Sequence, residues 1–162
     1  MPITHFRIDD RLIHGQVTVA WTKVVPTNHI ILANDKVASD TIQQSLLKLS
    51  APPHIRLSMT TIDKAVNYIN KGIPDEEKIF LLVKSAPDAL KFIQRDIKIP
   101  SINVGNMGYK KDSVALTKRL YADSEELKAL KELIDLGIRL YAQVMPTDKE
   151  SDLETTIKKN YQ

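Results

Sequence analysis

The chain has 162 residues, 43% of them apolar, with 23 basic against 20 acidic residues and a formal net charge of +3. This is enough chain for one domain over residues 1–162 with a sizeable core, and an ordinary globular composition. There is no cysteine, which excludes a disulfide framework, a thiolate metal site and a cysteine nucleophile, and fits a reducing compartment.

In chain order, short β-branched runs alternate with helical patterns, the signature of βαβ units and a largely parallel sheet. Strands are predicted at 2–8, 29–34, 55–59, 78–84, 101–105, 117–122 and 138–144. The second and fourth are nearly continuous apolar runs, as expected of strands covered on both faces. Between them, apolar stripes at helical spacing predict helices. The stripes are Val17, Ala20, Trp21 and Val24; Ile42, Leu46 and Leu49; Ile62, Ala65, Val66 and Ile69; Ala86, Ala89, Leu90 and Ile93; and Leu127, Leu130 and Ile134. Gly137 stands where a helix C-cap belongs. Ser151 and Glu154 have capping-box spacing and predict the start of a last helix, separated from the final strand by Pro146. The segment from Asn106 to Val114 is too short for a crossover helix, so the sixth strand is expected to be antiparallel or at an edge. The predicted fold is α/β: a mostly parallel, doubly wound sheet of about seven strands with helices on both faces.

Ligands of such sheets bind outside the carboxyl ends of the strands. The polar residues expected there are Asp9 and Asp10, Asn34 and Asp35, Thr60, Lys84 and Ser85, and Asn106. The run from Arg7 to Val17 reads Arg-Ile-Asp-Asp-Arg-Leu-Ile-His-Gly-Gln-Val. It places one imidazole, His14, on a strand–turn–helix unit beside two arginines and a helix start. Helix N-termini attract anions, and guanidinium groups match phosphate oxygens in a fork. His14 is therefore the candidate nucleophile for a phosphoryl group, and Arg11 the candidate phosphate clamp. Gly15 and Gln16 offer backbone N–H groups to the same anion. Arg7 is a further phosphate-binding candidate, although its place within the strand favours pairing with an aspartate. Asp9 or Asp10 is expected to accept a hydrogen bond from the imidazole or from an arginine. Ser85 also reads as an N-cap, with Pro87 and Asp88 in the first turn. His5, His29 and His54 lack metal-ligand spacing and read as structural histidines, so neither metal nor cofactor is expected.

The Arg7–Val17 run, with Trp21 after it, resembles the active-site signature of IIB components of the bacterial sugar phosphotransferase system. The subfamily is the mannose/fructose/sorbose/N-acetylgalactosamine one. The run Asn103-Val104-Gly105-Asn106-Met107-Gly108 is similar to that family's loop after strand five. The resemblance implies a phosphotransferase subunit that takes a phosphoryl group from the phosphohistidine of a IIA protein onto His14. It implies onward transfer to a sugar during uptake through membrane subunits IIC and IID. It also implies a free-standing, cytoplasmic protein held peripherally at the transporter, and it leaves both the sugar and a homodimer open.

Two rival readings remain. A receiver-like signalling domain would use Asp9, Asp10 and Lys84, but Met59-Thr60-Thr61 stands where its phosphoacceptor aspartate belongs. A basic nucleic-acid module would need a stripe or patch of Lys and Arg, and here the basic residues are scattered. No apolar run reaches the length of a membrane span, and the N-terminus Met-Pro-Ile-Thr-His shows no secretory signal.

Overall fold

The computed structural model of the chain describes residues 2–160. Its strands are β1 (Ile3–Asp9), β2 (His29–Ala33), β3 (Arg56–Thr60), β4 (Ile79–Val83), β5 (Ser101–Asn106), β6 (Val114–Ala115), β7 (Tyr121–Ala122), β8 (Arg139–Ala142) and β9 (Ser151–Asp152). Its helices are α1 (Gly15–Val24), α2 (Asp35–Ala38), α3 (Thr41–Ser50), α4 (Ile62–Asn70), α5 (Ala86–Gln94), α6 (Ser124–Asp135) and α7 (Leu153–Asn160). Seven strands form one sheet in the order β3-β2-β4-β1-β5-β8-β9, parallel except for β9. β2 and β4, the most apolar strands, are buried along their whole length near the centre.

Helices cover both faces. On one, α1, α2 and α3 close a smaller core of Leu12, Ile13, Val17, Trp21, Val37 and Leu47 over Ile30, Leu32, Phe80 and Leu82. On the other, α4 to α7 close the larger core, with Phe6 edge-on to Phe92. α5 follows the sequence: the Ser85 hydroxyl accepts the Asp88 N–H at 3.3 Å, with Pro87 in the first turn. Gly137, at φ +86°, follows α6 in the left-handed conformation that suits glycine.

Three expectations are corrected. The stretch predicted as strand 117–122 is not in the main sheet. Only Tyr121 and Ala122 are extended, and they pair with Val114 and Ala115 in a separate antiparallel hairpin. The exposed Lys118 and Arg119 lie at its tip, where a sheet interior would have to bury them. The stripe Ile42, Leu46 and Leu49 faces outward at 75%, 62% and 84% exposure, and α3 buries Leu47 instead. A turn at Ser39 and Asp40 interrupts the helical path: the Asp40 carboxylate caps α3 by accepting the Gln43 N–H at 3.0 Å. The last helix begins at Leu153, not Ser151, because Ser151 is spent pairing with Ala142 at the sheet edge. Asp152 accepts the Glu154 N–H in its place, at 3.0 Å.

Candidate functional site

The turn after β1 is fixed from both sides by burial. Leu12 and Ile13 are each 4% exposed and plug the smaller core. Leu12 sits at φ +62°, a conformation that costs a β-carbon roughly 1–2 kcal/mol. Its side chain is held in the core, and its N–H bonds to the Asp9 carbonyl at 2.9 Å. With these two anchored, His14 is turned out to solvent as the N-cap residue of α1. The His14 N–H donates to the Thr18 hydroxyl at 3.1 Å, and its carbonyl accepts from Val17 and Thr18. The imidazole makes no capping hydrogen bond. Gly15 and Gln16 open the helix, where first-turn N–H groups have no intrahelical acceptor. A β-carbon at Gly15 would meet nothing within 4 Å, so the space over this backbone is open.

Asp9 organises the arginines. Its carboxylate is 1% exposed and accepts four hydrogen bonds. One comes from Arg7 Nη2 (3.0 Å), one from the Arg11 backbone (3.0 Å), and two from Arg11 Nε (3.0 Å) and Nη2 (2.9 Å). The Arg11 fork is thus locked edge-on to Asp9, while the side chain stays 28% exposed. Hydrogen bonding to Asp9 raises the Arg11 pKa above its ordinary value, so its charge is permanent. Asp10 ties the turn to the loop after β5, accepting from Asn106 Nδ2 and from the Gly108 N–H, both at 2.6 Å. Of the two bonds expected of these aspartates, Asp9 makes the one from an arginine, and no aspartate-to-imidazole bond is present among the described residues.

Arg7 pairs with Asp9, as its place within the strand favoured, and its burial sets it apart from the phosphate-binding candidates. It is 2% exposed, and burial pushes its pKa down while Asp9 pulls it back up. Its guanidinium bonds Asn103 Oδ1, the Gln143 carbonyl (3.1 Å) and Asp9, and lies over the Trp21 ring at 5.5 Å. A β-carbon at position 105 would fall 2.1 Å from Arg7 Cζ, so Gly105 is the opening through which this side chain passes. Asn103 Nδ2 donates to the Gln143 carbonyl at 3.0 Å, and Trp21 Nε1 to the Val144 carbonyl at 2.8 Å. His5 completes the network, stacked on Trp21 at 4.5 Å and 3.3 Å from Asn103 Oδ1. Burial first, and the Arg7 charge second, lower its pKa to about 4, so the ring is neutral.

The remaining rim residues divide. Asn34 caps α2 through the Val37 N–H (3.0 Å), and Asp35 accepts the Ile62 N–H (3.0 Å), so both shape the scaffold. Asp10, the exposed Lys84 and Ser85 line one shallow cleft of about 330 Å³ with Lys110, Asp123, Glu125 and Glu126. A second cleft, of about 400 Å³, lies over Gly105 and Gln143 at the carboxyl ends of β5 and β8. Lys118, Arg119 and Lys149, set against Asp148, give it a net cationic lining. Sequence reasoning did not single out Asn103, Gly105 or Gln143 as supports of the arginines. The available signal was a buried-strand arginine, which demands a buried acceptor set.

The sequence profile of the PTS system sorbose subfamily IIB component matches residues 3–162. The chain is 36% identical over 148 residues to the sorbose-specific EIIB component of Klebsiella pneumoniae, covering 91% of this chain and 90% of that one. It is 32% identical to N-acetylgalactosamine-specific enzyme IIB component 1 of Escherichia coli K12, covering 91% and 93%. It also matches 47% of the longer mannose-specific EIIAB component of that organism, at 33% identity over 94% of this chain. The crystal structure of the IIBSor domain of the Klebsiella pneumoniae sorbose permease superposes with a TM-score of 0.92, at 34% identity, over 99% of this chain and 98% of that one.

Proposed function

The chain belongs to the sorbose-subfamily IIB components of the sugar phosphotransferase system, phosphoryl-carrying subunits of sugar uptake, and from that premise we propose that His14 is the residue that carries the phosphoryl group. The carrying observation is the pairing of an outward-turned His14 with an Arg11 fork fixed by Asp9 on the same turn.

A neutral imidazole nitrogen of His14 attacks the phosphorus of a IIA phosphohistidine. One P–N bond forms as the other breaks, and the donor histidine leaves in line. Charge spreads over the equatorial oxygens, and two kinds of donor meet it. The donors of Arg11 not used by Asp9 supply a formal charge already oriented. The N–H groups of Gly15 and Gln16 supply partial charge at the helix start. Neither needs to reorganise, because Asp9, Leu12 and Ile13 hold the turn. The second transfer, to the sugar, uses the same turn with a different partner in front of it.

For partners, we assign IIA as donor and membrane subunits IIC and IID as acceptor side, with the protein working in the cytoplasm against them. The EIIAB name of the mannose-specific relative supports a IIA module as the neighbour. The cationic cleft of Lys118, Arg119 and Lys149 supports an acidic or phosphorylated docking face. None of the helices of the described residues is long and apolar enough to cross a membrane, so onward transfer calls for docking on subunits that do. The test is phosphotransfer from cognate IIA, followed by mapping of the labelled residue. The expected outcome is an alkali-stable, acid-labile phosphate on His14. Label on any other residue overturns the assignment.

A further inference from the structure

At the amino ends of β2 and β3, away from the His14 turn, three residues form a hydrogen-bonded relay. His29 Nε2 lies 2.7 Å from the Ser58 Oγ, and His29 Nδ1 lies 2.6 Å from Glu77 Oε1. The Tyr68 hydroxyl approaches both Glu77 oxygens, at 2.8 and 2.7 Å, and fixes the carboxylate. Arg56 Nη1 stands 3.8 Å from the same carboxylate. The imidazole is 3% exposed, whereas Ser58 is part-exposed on edge strand β3. Arg56, Ser58 and Thr60 alternate onto one face, and with His29, Ile31, Lys64, Ala65 and Tyr68 they line a cavity of about 250 Å³.

We propose that Ser58, His29 and Glu77 form a second chemical centre, a serine nucleophile that takes acyl groups from small esters bearing a negative charge. The assignment of atoms follows from the hydrogen bonds. Burial pushes the Glu77 carboxyl up, but the bonds from Tyr68 and His29 outweigh it and the net shift is down, so Glu77 is ionised and accepts Nδ1–H. Nε2 then holds the lone pair that faces the Ser58 O–H. Desolvation lowers the His29 pKa against the pull of Glu77, which keeps the base neutral near pH 7. The charged groups that face the ring are Glu77, from the segment before β4, and Arg56, from β3. Lys64, from α4, lines the same cavity.

In the reaction the Ser58 Oγ bonds to the ester carbonyl carbon as its proton passes to His29 Nε2. The bond to the leaving alkoxide breaks, and His29 returns the proton to it. Water then bonds to the acyl carbon as its proton passes to the same nitrogen, the bond to Ser58 Oγ breaks, and His29 returns that proton to Oγ as the carboxylic acid leaves. Arg56 and Lys64 supply the positive charge that selects an anionic acyl group and faces the developing oxyanion. Ile31 and Ala65 receive the methylene body.

The experiment uses the full chain and 4-nitrophenyl hemisuccinate, with 4-nitrophenyl acetate as the uncharged comparison. The expected result is release of 4-nitrophenolate faster from the hemisuccinate than from the acetate, with a succinyl adduct on Ser58 by peptide mass mapping. Ser58→Ala abolishes the adduct, His29→Gln slows its formation at least about 100-fold, and Glu77→Gln slows it less. The rate should level off below the ordinary histidine pKa. All three variants should keep IIA-dependent phosphorylation, which also shows that they are folded. No adduct, an adduct on Lys64, or the same rate in Ser58→Ala overturns the proposal. The outcome is independent of the His14 assignment.

Discussion

His14 and His5 lie on one short segment and meet opposite fates. His5 is inside β1, stacked on Trp21 and edge-on to Phe80, with its pKa driven to about 4. His14 is five residues past the strand end and faces water. The difference is made by the residues between them. Arg7 and Asp9 satisfy each other inside the sheet, Leu12 and Ile13 bury the turn, and the ring left over has nowhere to go but out. His14 is exposed because its neighbours use up the buried volume and the buried acceptors, and that exposure is what the proposed relay between two proteins requires.

The largest effect should separate the two rings outright. His14→Ala is expected to abolish phosphoryl acceptance while leaving stability within about 0.5 kcal/mol, since the residue is exposed and its ring makes no capping hydrogen bond. Labelling from phosphorylated IIA, with urea unfolding of the same protein, checks both halves. Next is the support. Gly105→Ala drives a β-carbon into the Arg7 guanidinium, so a buried charge loses its partners, at a cost of about 4 kcal/mol. Denaturant midpoints read this directly, and an unchanged midpoint would remove Gly105 from the account. Arg11→Ala should slow transfer about 100-fold, the usual loss of one oriented donor to a developing anion. Arg11→Lys should recover only part, because an ammonium cannot grip Asp9 and phosphate together. Single-turnover rates distinguish the three.

The most diffuse effect, spread over a pH window, is the response of His5. Its pKa is about 4 when folded, against 6.5 for an ordinary histidine, so between those values the unfolded chain binds more protons. Stability is then full above pH 6.5, falls as pH drops toward 4, and levels off below that, by about 3 kcal/mol in all. His5→Gln should flatten this slope over that window, as seen in urea midpoints at several pH values.

Much of this was legible in the residues. The apolar runs of β2 and β4 could only be central strands, and Ser85 followed by Pro87 and Asp88 could hardly be anything but a helix start. The Arg7–Val17 run marked out the turn on which the structure exposes His14 beside Arg11. What the sequence could not convey was which way a periodic stripe points. Ile42, Leu46 and Leu49 do share a helix face, but spacing says only that they share it, not that a sheet covers it. Arg7 was ambiguous for a similar reason. Its burial depends on Asn103 and the Gln143 carbonyl, which lie about a hundred residues or more further along the chain. Ser151 offered a local capping pattern that a long-range pairing with Ala142 overrode. The Ser58–His29–Glu77 relay was invisible altogether, since β2, β3 and the segment before β4 contribute one member each.

Leu12 has a consequence for anyone who would engineer this protein. Its backbone asks for glycine or asparagine, and its side chain asks for a large aliphatic group. Relieving the first demand recovers roughly 1–2 kcal/mol, and abandoning the second forfeits roughly 2 kcal/mol. Exchanges at this position should therefore come out near neutral or worse. The residue two places before the proposed phosphoryl carrier is pinned by a stalemate, and screens for heat tolerance should find little to gain there.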